Sequence, residues 1–192
     1  MSDLNKAIEI FNQGGIVIFP TDTAFGIGCR MDNEVAIKKL FKIRKRPLTQ
    51  AVPVLVDSVL MAKTYVKEIP EDVLNNLIKP YWPGALTIVL SCREDKVPSL
   101  VRGGGASLGI REPNLPPLLE IIKSVGVPIL GPSANFHGDK TPYKIGDLNP
   151  ALVSLADYVL EGECFGNLAS TVIDCTEKPW SILRKGNLEI KI

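Results

Sequence analysis

The sequence is poor in the residues from which metal centres, redox centres and membrane anchors are built. Its 192 residues include one histidine, His137, and four cysteines, Cys29, Cys92, Cys164 and Cys175, with no Cys-x-x-Cys pair among them. That scatter argues against a zinc site, and each cysteine reads as a small buried apolar side chain in a reducing compartment. No metal ligands are expected. Apolar runs are short, and residues 1–12 lack a basic stretch followed by an apolar core. Neither a spanning helix nor a signal peptide is expected, and the expected location is cytoplasmic, off the membrane. An excess of one charge is also missing: 22 Lys and Arg stand against 21 Asp and Glu, a net charge of +1. Nothing in that total calls for a nucleic acid or a lipid surface, so any basic site is local. The common nucleotide fingerprints are absent too. There is no G-x-x-x-x-G-K-[ST], and Gly26-Ile27-Gly28 runs on into Cys29, Arg30 and Met31 in place of a G-x-G-x-x-G loop.

What is present is the composition of a folded globule, 45% hydrophobic and 22% charged. The length suits one domain, 1–192, around one core. Leu4, Ile8 and Phe11 recur at helical spacing before Gly14-Gly15, and Ile16 to Phe19 then reads as a short buried strand. Ala24 to Gly28 resumes an extended run after Pro20-Thr21-Asp22-Thr23. A second amphipathic helix starts near Asn33, with Ala36, Leu40 and Ile43 on one face and Lys38, Lys39, Lys42 and Lys45 on the other. Val52 to Val56 reads as a strand despite Pro53, with Asp57 as N-cap of a helix towards Tyr65 and another helix after Pro70. Pro80 to Gly84 reads as a rigid turn before a strand at Ala85 to Leu90. Ser107 to Arg111 and Val127 to Leu130 are further strands around a helix at Pro116 to Lys123. Tyr158 to Leu160, Thr171 to Asp174 and Trp180 to Arg184 complete one sheet. Helices and strands alternate throughout, which predicts an α/β (mixed α+β) fold: a twisted, open, mixed sheet with helices packed on it.

Five loops hold the polar residues. Thr21-Asp22-Thr23 stands at a strand end, either a ligand position or a plain turn. Arg44-Lys45-Arg46-Pro47 ends a helix, where cations are favoured anyway. Gly103-Gly104-Gly105, followed by Ser107 and Arg111, is an anion cradle or a hairpin turn. Pro132-Ser133-Ala134-Asn135, with Thr141 beyond it, presents hydroxyl and amide groups that serve a ligand or the loop backbone. Ser170-Thr171-Val172 and Leu183-Arg184-Lys185-Gly186 close the set.

In this order and at these spacings the chain resembles the YrdC-type family of L-threonylcarbamoyl-AMP synthases. Family members show P-T-[ED]-T-x-[YF]-G-[IL]-G, K-x-R-P, W-P-G-x-[LV]-T, A-V-R, S-A-N, S-T-[IV] and L-R-x-G. Here these stand as Pro20 to Gly28, Arg44 to Pro47, Trp82 to Thr87, Leu108 to Arg111, Ser133 to Asn135, Ser170 to Val172 and Leu183 to Gly186. The resemblance spans nearly the whole chain and implies a short, single-domain form with a concave, basic cleft. It implies a reaction in which L-threonine, bicarbonate and ATP, with Mg2+, give threonylcarbamoyl-AMP and pyrophosphate, for a separate tRNA threonylcarbamoyl transferase to use. By position, it implies threonine contacts at Thr23, Arg111, Gly131 and Ser170. It implies ATP contacts at Arg44, Arg46, Gln50, Ser107, Ser133, Asn135, Thr141 and Arg184, with Arg44, Arg46 and Arg184 supporting the chemistry. The departures are Asp22 where many members have Glu, Arg44 where Lys is usual, Gln50 where Asn or Lys is frequent, and Leu55 where several members place a histidine near threonine. Two alternatives remain on the sequence. One is a paralogue acting on another acceptor or amino acid, suggested by Leu55 and Gln50. The other is an RNA-binding module using the Lys38 to Arg46 cluster, which 6% aromatic residues do little to support.

Overall fold

A computed structural model describes residues 2–190. Helix α1 (Asp3–Asn12) is capped by the Ser2 hydroxyl, which accepts from the Asn5 N–H, and buries Ala7 and Phe11. Helix α2 (Glu34–Ile43) is capped by the Asn33 side chain and buries Ala36, Ile37, Leu40, Phe41 and Ile43, the apolar stripe read from the sequence. The cap of α3 (Val59–Tyr65) is Ser58, one residue later than Asp57; the Asp57 carboxylate instead accepts the Ser58 hydroxyl proton, freeing that oxygen to accept from the Met61 N–H.

The segment before the Trp-Pro-Gly turn is helical further than expected. Helix α4 (Glu71–Val73) loosens into a π-turn over Leu74–Ile78 and resumes as α5 (Lys79–Tyr81). Pro80 has no N–H and its ring crowds the carbonyl four residues back, so the chain widens there without ending the helix. Pro80 and Tyr81 therefore belong to the helix, and the turn begins at Trp82, whose indole N–H caps the Leu86 carbonyl at 2.8 Å. Helix α6 (Pro116–Val125) starts on proline and stops at Gly126 in the left-handed conformation. A short α7 (Pro150–Val153) follows.

Among the described residues the strands form two sheets, not one. The larger has the order β6-β3-β5-β4-β8-β9, built from β3 (Val54–Leu55), β4 (Leu86–Ser91), β5 (Ser107–Arg111), β6 (Ile129–Leu130), β8 (Thr171–Asp174) and β9 (Ser181–Arg184). It is mixed: β4 runs antiparallel to β5 and parallel to β8. The smaller has β1 (Val17–Phe19) between β2 (Gly26–Gly28) and β7 (Tyr158–Val159). Tyr158 to Leu160 thus completes this small sheet, pairing parallel with β1, and does not join the larger one. Asp157 explains the placement: its carboxylate accepts from the Ile16 N–H at 2.7 Å and meets Lys39 of α2, fixing β7 beside β1.

One core cluster, including Phe25, Phe41, Ile88 and Ile110, fills the space between the sheets, α2 and α3. A second, including Phe11, Phe19, Leu55 and Ile122, lies under α1 and α6. The two sheets meet where β2 faces the chain after β6. Ile27 donates its N–H to the Pro132 carbonyl and Ala134 to that of Phe25, and a Cβ on Gly28 would overlap the Leu130 carbonyl. That close approach sets one wall of the cleft. Among the described residues no helix is long and apolar enough to cross a membrane.

Candidate functional site

A cleft of about 150 Å³ opens where the sheets meet. Its lining includes four arginines, Arg44, Arg46, Arg111 and Arg184, and, among the described residues, no acidic one. The loop after β1, the C-terminus of α2, the end of β5 and the end of β9 each deliver one part of it.

Arg111 ends β5 with its side chain almost fully buried, at 7% exposure. Its Nε donates to the Gly84 carbonyl at 2.9 Å, Nη1 to Thr23 Oγ1 at 2.8 Å and Nη2 to Asp22 Oδ1 at 2.5 Å. Burial pulls this guanidinium below its ordinary pKa while Asp22 pushes it back up. Thr23 is itself placed by Thr21, whose hydroxyl accepts the Thr23 and Ala24 N–H groups and donates to the Ala24 carbonyl. The Pro-Thr-Asp-Thr segment is therefore a hydroxyl-stapled loop that fixes an arginine. Two of the five guanidinium N–H groups of Arg111 remain for a ligand.

Arg44 is the C-cap of α2 and is 3% exposed. Its Nε donates to the Asn135 carbonyl at 3.1 Å and its Nη2 to Asn135 Oδ1 at 3.2 Å, but buried Nη1 has no hydrogen-bond partner among the described residues. Burial, then the neighbouring Arg46, lowers its pKa to about 10. Arg46 reaches the same cleft because Lys45 takes a left-handed conformation, φ 52°, that turns the chain sharply. The Arg46 N–H bonds the Phe41 carbonyl at 3.0 Å and the Lys45 N–H that of Lys42 at 3.1 Å, a Schellman ending with lysine where glycine is usual. Arg46 Nε and Nη2 donate to the carbonyls of Gln50 and Ala51.

Arg184, from β9, donates Nε to the Ser170 carbonyl at 3.0 Å and Nη2 to Ser170 Oγ at 2.9 Å, and Ser170 Oγ lies 2.8 Å from Thr87 Oγ1. Burial first, and then Arg111, lower its pKa. Gly186 allows this approach, since a Cβ there would overlap the backbone of Ala169 and Ser170. Ser133 donates to Asn135 Oδ1 at 2.6 Å, and Asn135 Nδ2 donates to the Asp139 carbonyl, so Ser133-Ala134-Asn135 is a rigid brace behind Arg44.

The structure thus brings Thr23, Arg44, Arg46, Arg111, Gly131, Ser133, Thr141, Ser170 and Arg184 to one cleft, with Asn135 directly behind Arg44. Gln50 and Ser107 stand off the lining. Gln50 sits exposed on the turn after Pro47 and contributes its backbone carbonyl to Arg46. Ser107 begins β5 at the end opposite Arg111, roughly 13 Å away at about 3.3 Å per residue. The Gly103-Gly104-Gly105 run is a turn between β4 and β5, with Gly103 and Gly104 at positive φ, and it too lies off the cleft. Sequence reasoning assigned no contact to Thr87 and left Thr21 as either a ligand position or part of a plain turn. Thr87 closes the Trp-Pro-Gly-x-Leu-Thr motif, and that position was its signal. Leu55 is buried at 2% exposure and also lines the cleft.

Four convergent guanidinium groups with one neighbouring carboxylate, Asp22, give this cleft an excess of fixed positive charge.

Comparison with known proteins bears on this geometry. A profile of the Sua5/YciO/YrdC family, described as telomere recombination, matches residues 9–186. A Bacillus subtilis protein named threonylcarbamoyl-AMP synthase is 30% identical over 184 residues, covering 95% of this chain and 53% of that one. A Xanthomonas axonopodis protein of the same name is 30% identical over 162 residues, covering 84% of this chain and 86% of its own length. The crystal structure of Pyrococcus abyssi Sua5 complexed with L-threonine superposes with a TM-score of 0.91 at 32% identity, covering 98% of this chain and 56% of that one. The chain thus spans about half the length of the Bacillus and Pyrococcus relatives.

Proposed function

The chain belongs to the Sua5/YciO/YrdC family, and on that premise we propose that it is a threonylcarbamoyl-AMP synthase, joining L-threonine, bicarbonate and ATP with release of pyrophosphate. The observation that carries the reading is Arg44: a buried guanidinium with an unsatisfied N–H, in a cleft lined by three further arginines and no carboxylate. A triphosphate supplies the missing acceptors. Arg44, Arg46 and Arg184 would hold its phosphates, Ser133 and Thr141 the adjoining ribose or phosphate oxygens, and the two free N–H groups of Arg111 the amino-acid carboxylate. The names of the relatives and the threonine complex of the Pyrococcus protein support the choice of substrates.

The chemistry fits a site without a nucleophilic side chain. The amine of threonine and bicarbonate yield a carbamate with loss of water. A carbamate oxygen then attacks the α-phosphorus, the bond from the α-phosphorus to the bridging oxygen breaks, and pyrophosphate leaves with its electrons. Charge moves onto pyrophosphate, so orientation and fixed cations on the leaving group are what this reaction needs. Mg2+ would be held by phosphate oxygens, since the lining offers hydroxyls and guanidinium groups and no carboxylate; when bound it neutralises the leaving group. The acyl-adenylate would pass to a separate transferase acting on tRNA, in the cytoplasm.

The test is pyrophosphate release from ATP and Mg2+ by purified protein. Release that requires threonine and bicarbonate together is expected; release without either one, or none at all with both, overturns the reading.

A further inference from the structure

The run Arg44-Lys45-Arg46-Pro47 has to stop a helix and still bring two arginines to one cleft. Proline at 47 disfavours a helical backbone at the residue before it, Arg46, so α2 does not continue through the run. The chain turns at Lys45, in the left-handed conformation. Glycine takes that conformation freely, and asparagine or aspartate offset its cost with local hydrogen bonds; lysine has neither advantage. A contact from outside the turn is needed to hold it.

That contact comes from the loop after β6. Lys45 Nζ stands 4.8 Å from the centroid of the Phe136 ring, inside the range in which an ammonium is drawn to an aromatic face. The ring packs against the main core cluster, so it does not follow a moving lysine. Its chain neighbours are tied to the same helix end: Arg44 Nε donates to the Asn135 carbonyl at 3.1 Å, and the His137 N–H donates to the Arg44 carbonyl at 2.8 Å. Among the described residues the Lys45 ammonium enters no salt bridge. Past the turn, Arg46 donates its N–H to the Phe41 carbonyl and Nε to the Gln50 carbonyl, which sets its guanidinium on the cleft lining. Neither Lys45 nor Phe136 lines the cleft.

We infer that Phe136 is a positioning residue for the phosphate site: its ring holds the Lys45 ammonium, the ammonium holds the left-handed turn, and the turn aims Arg46 into the cleft. The inference rests on the proposed function and deepens it. Its signature is a dependence on the backbone of residue 45. Lys45→Met removes the ammonium and keeps the cost of the left-handed turn. Lys45→Gly removes both, so the turn no longer needs the ring. Phe136→Leu keeps an apolar side chain and removes the aromatic face.

Phe136→Leu and Lys45→Met should each weaken binding of ATP with Mg2+ by about twofold to fivefold, the range that one exposed cation–π contact is worth, with the KM for threonine unchanged. Lys45→Gly and Phe136→Tyr should bind ATP as wild type does, and adding Phe136→Leu to Lys45→Gly should cause no further loss. Isothermal titration calorimetry with ATP and Mg2+ reads these constants, after circular dichroism confirms that each variant is folded. Damage to the core by Phe136→Leu would appear equally in the wild-type and Lys45→Gly backgrounds. An ammonium that itself grips phosphate would make Lys45→Gly as weak as Lys45→Met. Either result overturns the positioning role and leaves the proposed function standing. Wild-type protein that binds no ATP overturns both.

Discussion

Arg44 is held in place by two bonds to Asn135 and still has an N–H to spare inside the protein. A buried guanidinium without a counter-charge costs several kcal/mol to desolvate, so Arg44 should be a source of instability. Arg44→Met keeps the volume and removes the charge. The apo variant is expected to be within about 1 kcal/mol of wild type or more stable, as read from urea midpoints. ATP with Mg2+, at about a hundred times its dissociation constant, should stabilise wild type by roughly 2.7 kcal/mol and the variant far less. A variant that loses stability and keeps the full ATP shift would place the phosphates elsewhere. Cys29 acts on stability through pH. Burial, and then the Asp32 charge, push its thiol from 9.0 to about 12. The folded chain keeps a proton that the unfolded chain gives up above 9.0, so stability is full below that value and falls as pH rises towards 12. Cys29→Ala should flatten that decline between about pH 9 and pH 12 when urea midpoints are compared. At this scale the sequence was informative wherever a polar residue closed a motif. Asn135 shows the limit: its part is to brace Arg44, and nothing in a run of Ser-Ala-Asn tells a brace from a direct contact.

Two helices end in the same Schellman geometry with different residues at the left-handed position. α1 uses Gly14, φ 79°, with Gly15 bonded back to the Ile10 carbonyl; α2 uses Lys45, which also lies over the Phe136 ring. The left-handed conformation costs a non-glycine residue about 1–2 kcal/mol, and a stacked ammonium returns about 0.5–1 kcal/mol at an exposed site. Lys45→Gly is therefore expected to change stability by about 1 kcal/mol or less. Gly14→Ala should cost more, since its methyl would also press on the Asn33 side chain that caps α2. Urea denaturation of the pair checks both. A strained lysine at the helix end that delivers Arg44 and Arg46 marks the place where backbone geometry serves the site. From sequence, α1, α2 and α6 were legible because their apolar stripes and caps agree. The π-turn before Pro80 was not, because proline signals a break in the ladder without saying whether the helix ends or widens. Short strands such as β3 and β6, two residues each, shrank from longer apolar runs because burial alone continues past the last ladder bond.

For the whole molecule, the alternation of elements gave the fold class, while the division into two sheets was hidden. Nothing local in Tyr158 and Val159 says that their partner is β1; that follows from the Asp157 contacts with Ile16 and Lys39, far off in sequence. Core residues of both sheets fall in the same cluster, and Leu55 carries the second cluster to the cleft floor. We therefore propose that the chain behaves as one domain, with a single cooperative unfolding transition that near-ultraviolet and far-ultraviolet circular dichroism report at the same midpoint. Separate midpoints would divide the two sheets into independent units.

The strand order also fixes a sequence of events in the cell. β4 stands in the middle of the large sheet, yet one of its neighbours is β8, with Leu86 opposite Thr171, and β8 in turn receives β9. A chain emerging from the ribosome has exposed Arg44, Arg46 and Arg111 long before Ser170 and Arg184 arrive to close the cleft. The pairing is long-range and so slow to form. A growing chain thus carries an incomplete basic wall until Ser170 and Arg184 have been added and β8 and β9 have joined the sheet.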